Sequence, residues 1–122
     1  MHFVEINNLT NINQTPLRAG VCDSFYLKLH GLMFTTPISP SEGHIFIEKV
    51  DSKLNSTIHM FFMRFDISVI WLNQKLEVVD KALARKWRPY YAPSHPASYI
   101  LETHVSRLDQ FQIGDKISLE ND

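Results

Sequence analysis

STIHMFFMRFDISVIWLN, residues 56–73, is the longest nearly unbroken apolar stretch of this 122-residue chain, and it decides the fold class. The stretch divides at Met63–Arg64. From Phe65 onward Phe65, Ile67, Val69 and Trp71 share one parity, while Arg64, Asp66 and Ser68 share the other. A period of two describes a strand with one buried face. Ile70 and Leu72 make the second face apolar as well, so the far end of this strand is expected to be covered on both sides. Ile58–Met63 is apolar on both parities except at His59, which reads as a strand crossing the core. A membrane span is the competing explanation for so long a stretch. Arg64 and Asp66 stand in its middle, where charge is expensive in lipid, so a β core is expected instead.

Outward from this stretch the chain breaks into short pieces. Phe3–Ile6 and Leu17–Cys22 are candidate strands separated by the Asn-rich segment Asn7–Gln14, where turns are expected. Asp23 and Ser24 can each cap a helix, and Phe25, Leu29 and Leu32 follow at helical spacing, so one short helix is expected over Ser24–Gly31. Thr35–Gly43 has the composition of a loop, and His44–Val50 that of a strand. Asn73-Gln74-Lys75 reads as a hairpin loop, and Leu76–Leu83 as the return strand. Its apolar parity changes between Val78 and Val79, as a β-bulge would require. Ala97–Thr103 is a strand, Ser106–Gln112 a helical turn capped by Ser106, Ile113–Lys116 a turn and Ile117–Glu120 a last strand. Together these elements predict a mainly β protein, a compact β-sandwich or partly closed barrel with one short helix, in a single domain over residues 1–122.

Composition narrows the function classes. Apolar residues make up 44% and charged residues 20% of the chain, ordinary values for a globular domain. A net charge of −1 offers no field for nucleic acid or an anionic membrane. The opening residues, MHFVEINNLTNINQ, have neither a basic region nor an apolar core of a signal peptide, which points to a cytoplasmic location. One cysteine, Cys22, excludes an internal disulfide and gives no zinc spacing. The six histidines (His2, His30, His44, His59, His95 and His104) make no H-x-x-x-H or H-x-H pair. Met33, Met60 and Met63 suit soft copper ligation, yet methionine is also an ordinary filler of irregular cores. No metal and no cofactor are expected.

Ala84–Pro96, ARKWRPYYAPSHP, differs from the rest of the chain. It holds three prolines, one tryptophan, two tyrosines and three cationic side chains, so it is not a central strand. Trp87, Tyr90 and Tyr91 offer flat faces to a ligand. Arg88 can grip a carboxylate or phosphate with two parallel hydrogen bonds. The structural alternative is that these aromatics cover the open end of a barrel. His59, interrupting an apolar run, is either a hydrogen-bonded core residue or one facing a pocket. Arg64 and Asp66 form either a solvated ion pair or an anion site.

Several segments are also recognisable together. His30-Gly31-Leu32-Met33-Phe34, Glu42-Gly43-His44-Ile45-Phe46 and Ile58-His59-Met60-Phe61-Phe62-Met63-Arg64-Phe65 resemble successive motifs of the prokaryotic family called domain of unknown function 192. Lys86-Trp87-Arg88-Pro89 resembles its tryptophan-containing loop, and Ala97–Glu102 with Ile113-Gly114-Asp115 its closing strands. The similarity covers about residues 17–119. It implies a compact β-rich sandwich and no established activity. His30 stands where the family usually has Arg. Asp66, Ile67 and Ser68 stand where it usually has Pro, an aliphatic residue and Asp. Many members carry export signals, which this sequence does not show.

The residues therefore favour a non-enzymatic module that binds a small molecule or protein, using the Trp87–His95 loop and the start of the Phe65–Asn73 strand. The candidate ligand-binding residues are His59, Arg64, Trp87, Arg88, Tyr91 and His95. No catalytic residue is assigned. The alternatives are a hydrolase or transferase using His59 as acid or base, and an accessory protein that docks through its surface. A monomer or weak homodimer without nucleic-acid or membrane partners is expected.

Overall fold

A computed structural model describes residues 2–22, 38–52, 65–86 and 91–121. Strand accounts for 54% of these residues and helix for 7%, so the protein is mainly β. The strands are β1 Phe3–Asn8, β2 Leu17–Cys22, β3 Glu42–Ser52, β4 Ile67–Leu72, β5 Val78–Ala84, β6 Ala97–Thr103 and β7 Ile117–Asn121. Among the described residues they form one sheet that is not closed, in the order β5-β4-β6-β3-β2-β1-β7. Every neighbouring pair is antiparallel except β2 and β3. That parallel pair demands a crossover between Cys22 and Glu42. The helix expected over Ser24–Gly31 falls in this stretch, outside the described residues, as does the strand expected over Ile58–Met63.

β4 shows why the opening stretch is so apolar. All six of its residues are buried, because β5 and β6 flank it and side chains pack on both faces. Ile67, Val69 and Trp71 join Phe46, Ala84, Ala97 and Ile100 in one cluster, with Phe65 packed at its margin. Ile70 and Leu72 point the other way, into a cluster with Val4, Ile6, Leu17, Ile45, Val78, Leu101, Phe111 and Ile117. The period-two register expected from sequence is the observed one. Ser68, the last residue of the polar parity, is fully buried. Its hydroxyl bonds the Thr103 hydroxyl and the His104 carbonyl oxygen, which answers the need of a buried polar group for a partner.

The expected bulge lies in β5. Trp71 pairs with Asp80 and Leu72 with Val78, so Val79 is the extra residue. The hairpin before it is held by Asn73, whose side-chain oxygen accepts from the Lys75 and Glu77 amides, each at 3.0 Å. Leu76 closes the loop in left-handed backbone, φ 61°, as the last residue of a three-residue hairpin loop requires.

The two edges of the sheet approach each other at one end. Glu77 and Lys116 form a bridge. The Val78 amide donates to the Asp115 carbonyl at 2.9 Å, and the Ile117 amide to the Leu76 carbonyl at 2.9 Å. Gly114, at φ 95°, makes the turn that returns the chain to this seam, a conformation glycine adopts without steric cost.

The 3-10 helix spans Val105–Gln110 and is capped by His104 rather than Ser106. The His104 Nδ1 accepts the Ser106 amide at 3.1 Å, satisfying a donor at the helix start that lacks a partner within the helix. The helix stops earlier than expected because Phe111 is extended and buries its ring in the second cluster. Arg107, buried within it, donates to the Pro40 carbonyl at 2.8 Å and to the Thr15 carbonyl. It ties two loops to the helix.

Gly43 faces Thr103 across β3 and β6. A Cβ here would lie 2.7 Å from the Glu102 carbonyl oxygen and 3.3 Å from the Thr103 methyl. Gly43→Ala is therefore expected to cost about 1–3 kcal/mol of stability, in the range of other overpacked positions. Urea unfolding of the variant checks this; an unchanged midpoint would mean that β3 and β6 lie farther apart.

Candidate functional site

The segment after β5 is anchored at both of its described ends. The Lys86 amide donates to Asp66 Oδ1 at 2.8 Å, and the Arg85 guanidinium lies 3.9 Å from Asp66 Oδ2. The Arg85 amide donates to the Tyr91 hydroxyl at 2.8 Å. On the far side Ser94 donates its amide to Asp80 Oδ2 at 2.8 Å, and Pro93 is buried. Asp66, just ahead of β4, thus tethers the near end of the loop, and the Tyr91 hydroxyl ties its far side to Arg85. These contacts join the two regions that the sequence marks out.

Of the six candidate residues, Tyr91 and His95 are described. Tyr91 is half-buried and packs against the first core cluster. His95 is exposed, with its Nδ1 3.1 Å from the Ser94 hydroxyl. His59, Arg64, Trp87 and Arg88 lie outside the described residues. Asp66 has Arg85 as its described ion-pair partner.

A cleft of about 260 Å³ opens beside the anchored loop, lined by Ile38, Phe65, Asp66, His104 and Val105. Its walls combine apolar side chains with one carboxylate and one imidazole. Val105 is 38% exposed at its rim. His104 enters it from the cap of the 3-10 helix, and Asp66 from the loop anchor, so both polar groups are held by backbone contacts of their own. Its wall is mostly apolar, with Asp66 and His104 as the polar groups.

A second polar cluster lies on the sheet face. Glu102 pairs with His44 on β3 and with Val69 on β4. Residues opposed across a ladder share a face, and Val69 belongs to the first core cluster. Glu102 is 7% exposed. Burial pushes its carboxyl up to about 8, toward the protonated form. His44 is half-buried, and burial lowers its pKa while the Glu42 carboxylate pulls it back up. Its Nδ1 is buried without a hydrogen-bond partner. Sequence reading passed over both residues. One signal was available, since Glu102 has the parity of Ile100, which faces the core. Among the described residues no three His, Cys, Asp or Glu side chains gather as metal ligands, and no helix is long and apolar enough to cross a membrane.

The family model DUF192, described as uncharacterized ACR, matches residues 8–119. A UPF0127 protein of Thermococcus sibiricus is 41% identical over 105 residues, covering 84% of this chain and 66% of that protein. The chain therefore spans about two thirds of the length of that relative. A UPF0127 protein of Pyrococcus furiosus is 32% identical over 112 residues, covering 90% of this chain and 93% of that protein. Two crystal structures share the fold. One, from Sinorhizobium meliloti, has a TM-score of 0.83 at 13% identity, covering 97% of this chain and 92% of that one. The other, a protein of unknown function from Novosphingobium aromaticivorans, has a TM-score of 0.79 at 21% identity, covering 95% and 83%. At these identities the likeness concerns the fold alone.

Proposed function

This chain belongs to the DUF192 family of uncharacterized proteins, and from that premise we propose that it is a binding module for a small molecule or a protein segment. Its site is the Trp87–His95 loop together with the cleft at the start of β4. The observation that carries this is the Asp66 anchor. Asp66 both lines the cleft and accepts the Lys86 amide at the loop's near end. Backbone anchored at the end of a loop before binding loses less conformational freedom when a ligand arrives. The aromatic and guanidinium groups of Trp87 and Arg88 supply contact area and a two-pronged grip on an anion. Residues 1–122 act in this proposal as one unit, supported by the single sheet that carries both core clusters.

A thermal-shift screen of small carboxylates, phosphates and sugars tests it on wild type, Trp87→Ala, Arg88→Ala and Arg88→Lys. The two alanine variants are expected to lose the ligand-induced shift, while their own melting temperatures move by less than about 4 °C, a stability change under about 1 kcal/mol. Arg88→Lys keeps the charge without the planar fork, so it is expected to lose an anion's shift as well. Equal shifts in all four proteins would place binding elsewhere. A large drop in melting temperature for Trp87→Ala would make the loop a structural cover.

A further inference from the structure

Two polar side chains line the cleft at the start of β4, and each has one hydrogen-bonding role left over. His104 Nδ1 accepts the Ser106 amide at 3.1 Å and lies 2.8 Å from the Ser106 hydroxyl. A ring nitrogen that accepts an amide hydrogen carries no proton, so this imidazole is neutral and its proton sits on Nε2. With Nδ1 committed to the helix cap, Nε2–H is the donor that the side chain keeps for a ligand. Asp66 is the opposite case. Its Oδ1 accepts the Lys86 amide at 2.8 Å. Its Oδ2 lies 3.9 Å from the Arg85 guanidinium, too far for a hydrogen bond, so that oxygen keeps its capacity to accept. Ile38, Phe65 and Val105 complete the wall. At about 260 Å³ the cleft is smaller than the ~300–1,000 Å³ of pockets for drug-sized ligands, so its occupant is small.

We propose that this cleft binds the hydroxyl end of an uncharged apolar alcohol, its O–H donating to Asp66 and its oxygen accepting from His104. The inference rests on the binding role proposed above for the same site and names the chemistry that the cleft itself selects. A hydroxyl has one donor and two acceptor lone pairs, so it meets both polar groups at once. A hydrocarbon would strip water from the carboxylate and the N–H and return no hydrogen bond. A carboxylate ligand would accept from His104 but set its charge against that of Asp66. An ammonium ligand would suit Asp66, yet it has no acceptor for Nε2–H, and Arg85 already places a cation beside that carboxylate.

Benzyl alcohol, toluene, benzoate and benzylammonium share one ring and differ in the polar group. Titrating each into the full chain at neutral pH, followed by the backbone amide resonances of residues 65–66 and 104–106, gives the test. Benzyl alcohol is expected to give saturable shifts in the millimolar range, with an affinity tenfold or more above the other three. Two variants keep the local backbone contacts. His104→Ser retains an oxygen able to cap the 3-10 helix but removes Nε2–H, and is expected to weaken benzyl alcohol about fivefold. Asp66→Asn retains an acceptor for the Lys86 amide and turns the other oxygen into a donor. It is expected to weaken benzyl alcohol tenfold or more, because hydrogen bonds to charged groups are the stronger ones. It is also expected to bind benzoate more tightly than wild type does, an exchange of preference that a merely structural role would not produce. Binding of toluene, benzoate or benzylammonium to wild type as tightly as benzyl alcohol would overturn the proposal. So would unchanged alcohol affinity in either folded variant, or no saturable shift up to about 100 mM, beyond the range open to so small a ligand. The four ligands on wild type decide the matter even where a variant does not fold. Failure here would leave the loop reading standing, since that depends on Trp87 and Arg88 in the ligand screen.

Discussion

Trp71→Ala is expected to lower the stability of this protein by about 3–5 kcal/mol, the range for deleting a buried indole or phenyl ring. Trp71 is 1% exposed. It sits on β4 between Ile100 on β6 and Asp80 on β5, and it is among the largest fully buried side chains described. Its removal would open a void under the β5 bulge, where the backbone is already committed to an irregular pairing and cannot easily collapse into the space. Small domains are stable by only about 5–15 kcal/mol in total, so the variant would be marginal at room temperature. Phe65→Ala provides the comparison. Phe65 shares Trp71's parity but is only half-buried at the cluster's edge, so a smaller loss of about 1–2 kcal/mol is expected from its partial burial. Urea denaturation of the three proteins reads both values. A Trp71→Ala loss below about 1 kcal/mol would mean that this face does not form the core.

The second large effect is a dependence of stability on pH that Glu102 alone should produce. Its carboxyl titrates near the ordinary 4.5 in the unfolded chain and at about 8 in the fold. Below 4.5 both states carry the proton, and the carboxyl does not oppose folding. As pH rises the unfolded state gives up its proton first. The folded state then binds more protons, so stability falls with pH until the folded carboxyl ionises too, near 8. The slope within this window is at most about 1.4 kcal/mol per pH unit, giving several kcal/mol across it as an upper limit. Glu102→Gln keeps the neutral shape at every pH. It should match wild type near pH 4 and exceed it by up to several kcal/mol near pH 9, with an intermediate gap near pH 7. The difference between the two proteins cancels the other titrating groups. These include His44, whose lowered pKa acts with the opposite sign, weakening the fold as pH falls through its ordinary range. A gap that does not change with pH would show that Glu102 is solvated and ionised in the fold.

How far the site was legible differs from residue to residue. The candidate loop was visible as composition, because prolines, aromatics and cations concentrate over a dozen residues there. Its anchor was not visible. Asp66 and Lys86 are twenty positions apart, and nothing local marks a carboxylate that will accept a distant amide. Arg64, which spacing alone sets beside Asp66, lies outside the described residues, and among those described the ion pair of Asp66 runs to Arg85. Ser106 met every local rule for a cap, and His104 took the role because its ring nitrogen reaches the same amide.

The sequence by itself determined the mainly β character, the register of β4, the hairpin at Asn73, the bulge in β5 and the family. All of these follow from patterns a few residues long: side-chain parity, turn chemistry and ordered short motifs. The tertiary structure alone decided that the strands make a single unclosed sheet, where parity had left a sandwich and a partly closed barrel both open. Strand pairing depends on contacts between residues far apart in the chain, and a strand's own pattern says which face is buried but not which neighbour buries it. The same holds for Glu102 and His44. They are 58 positions apart, a separation read from the pairing of residues 44 and 102, and only the β3–β6 register brings them opposite each other.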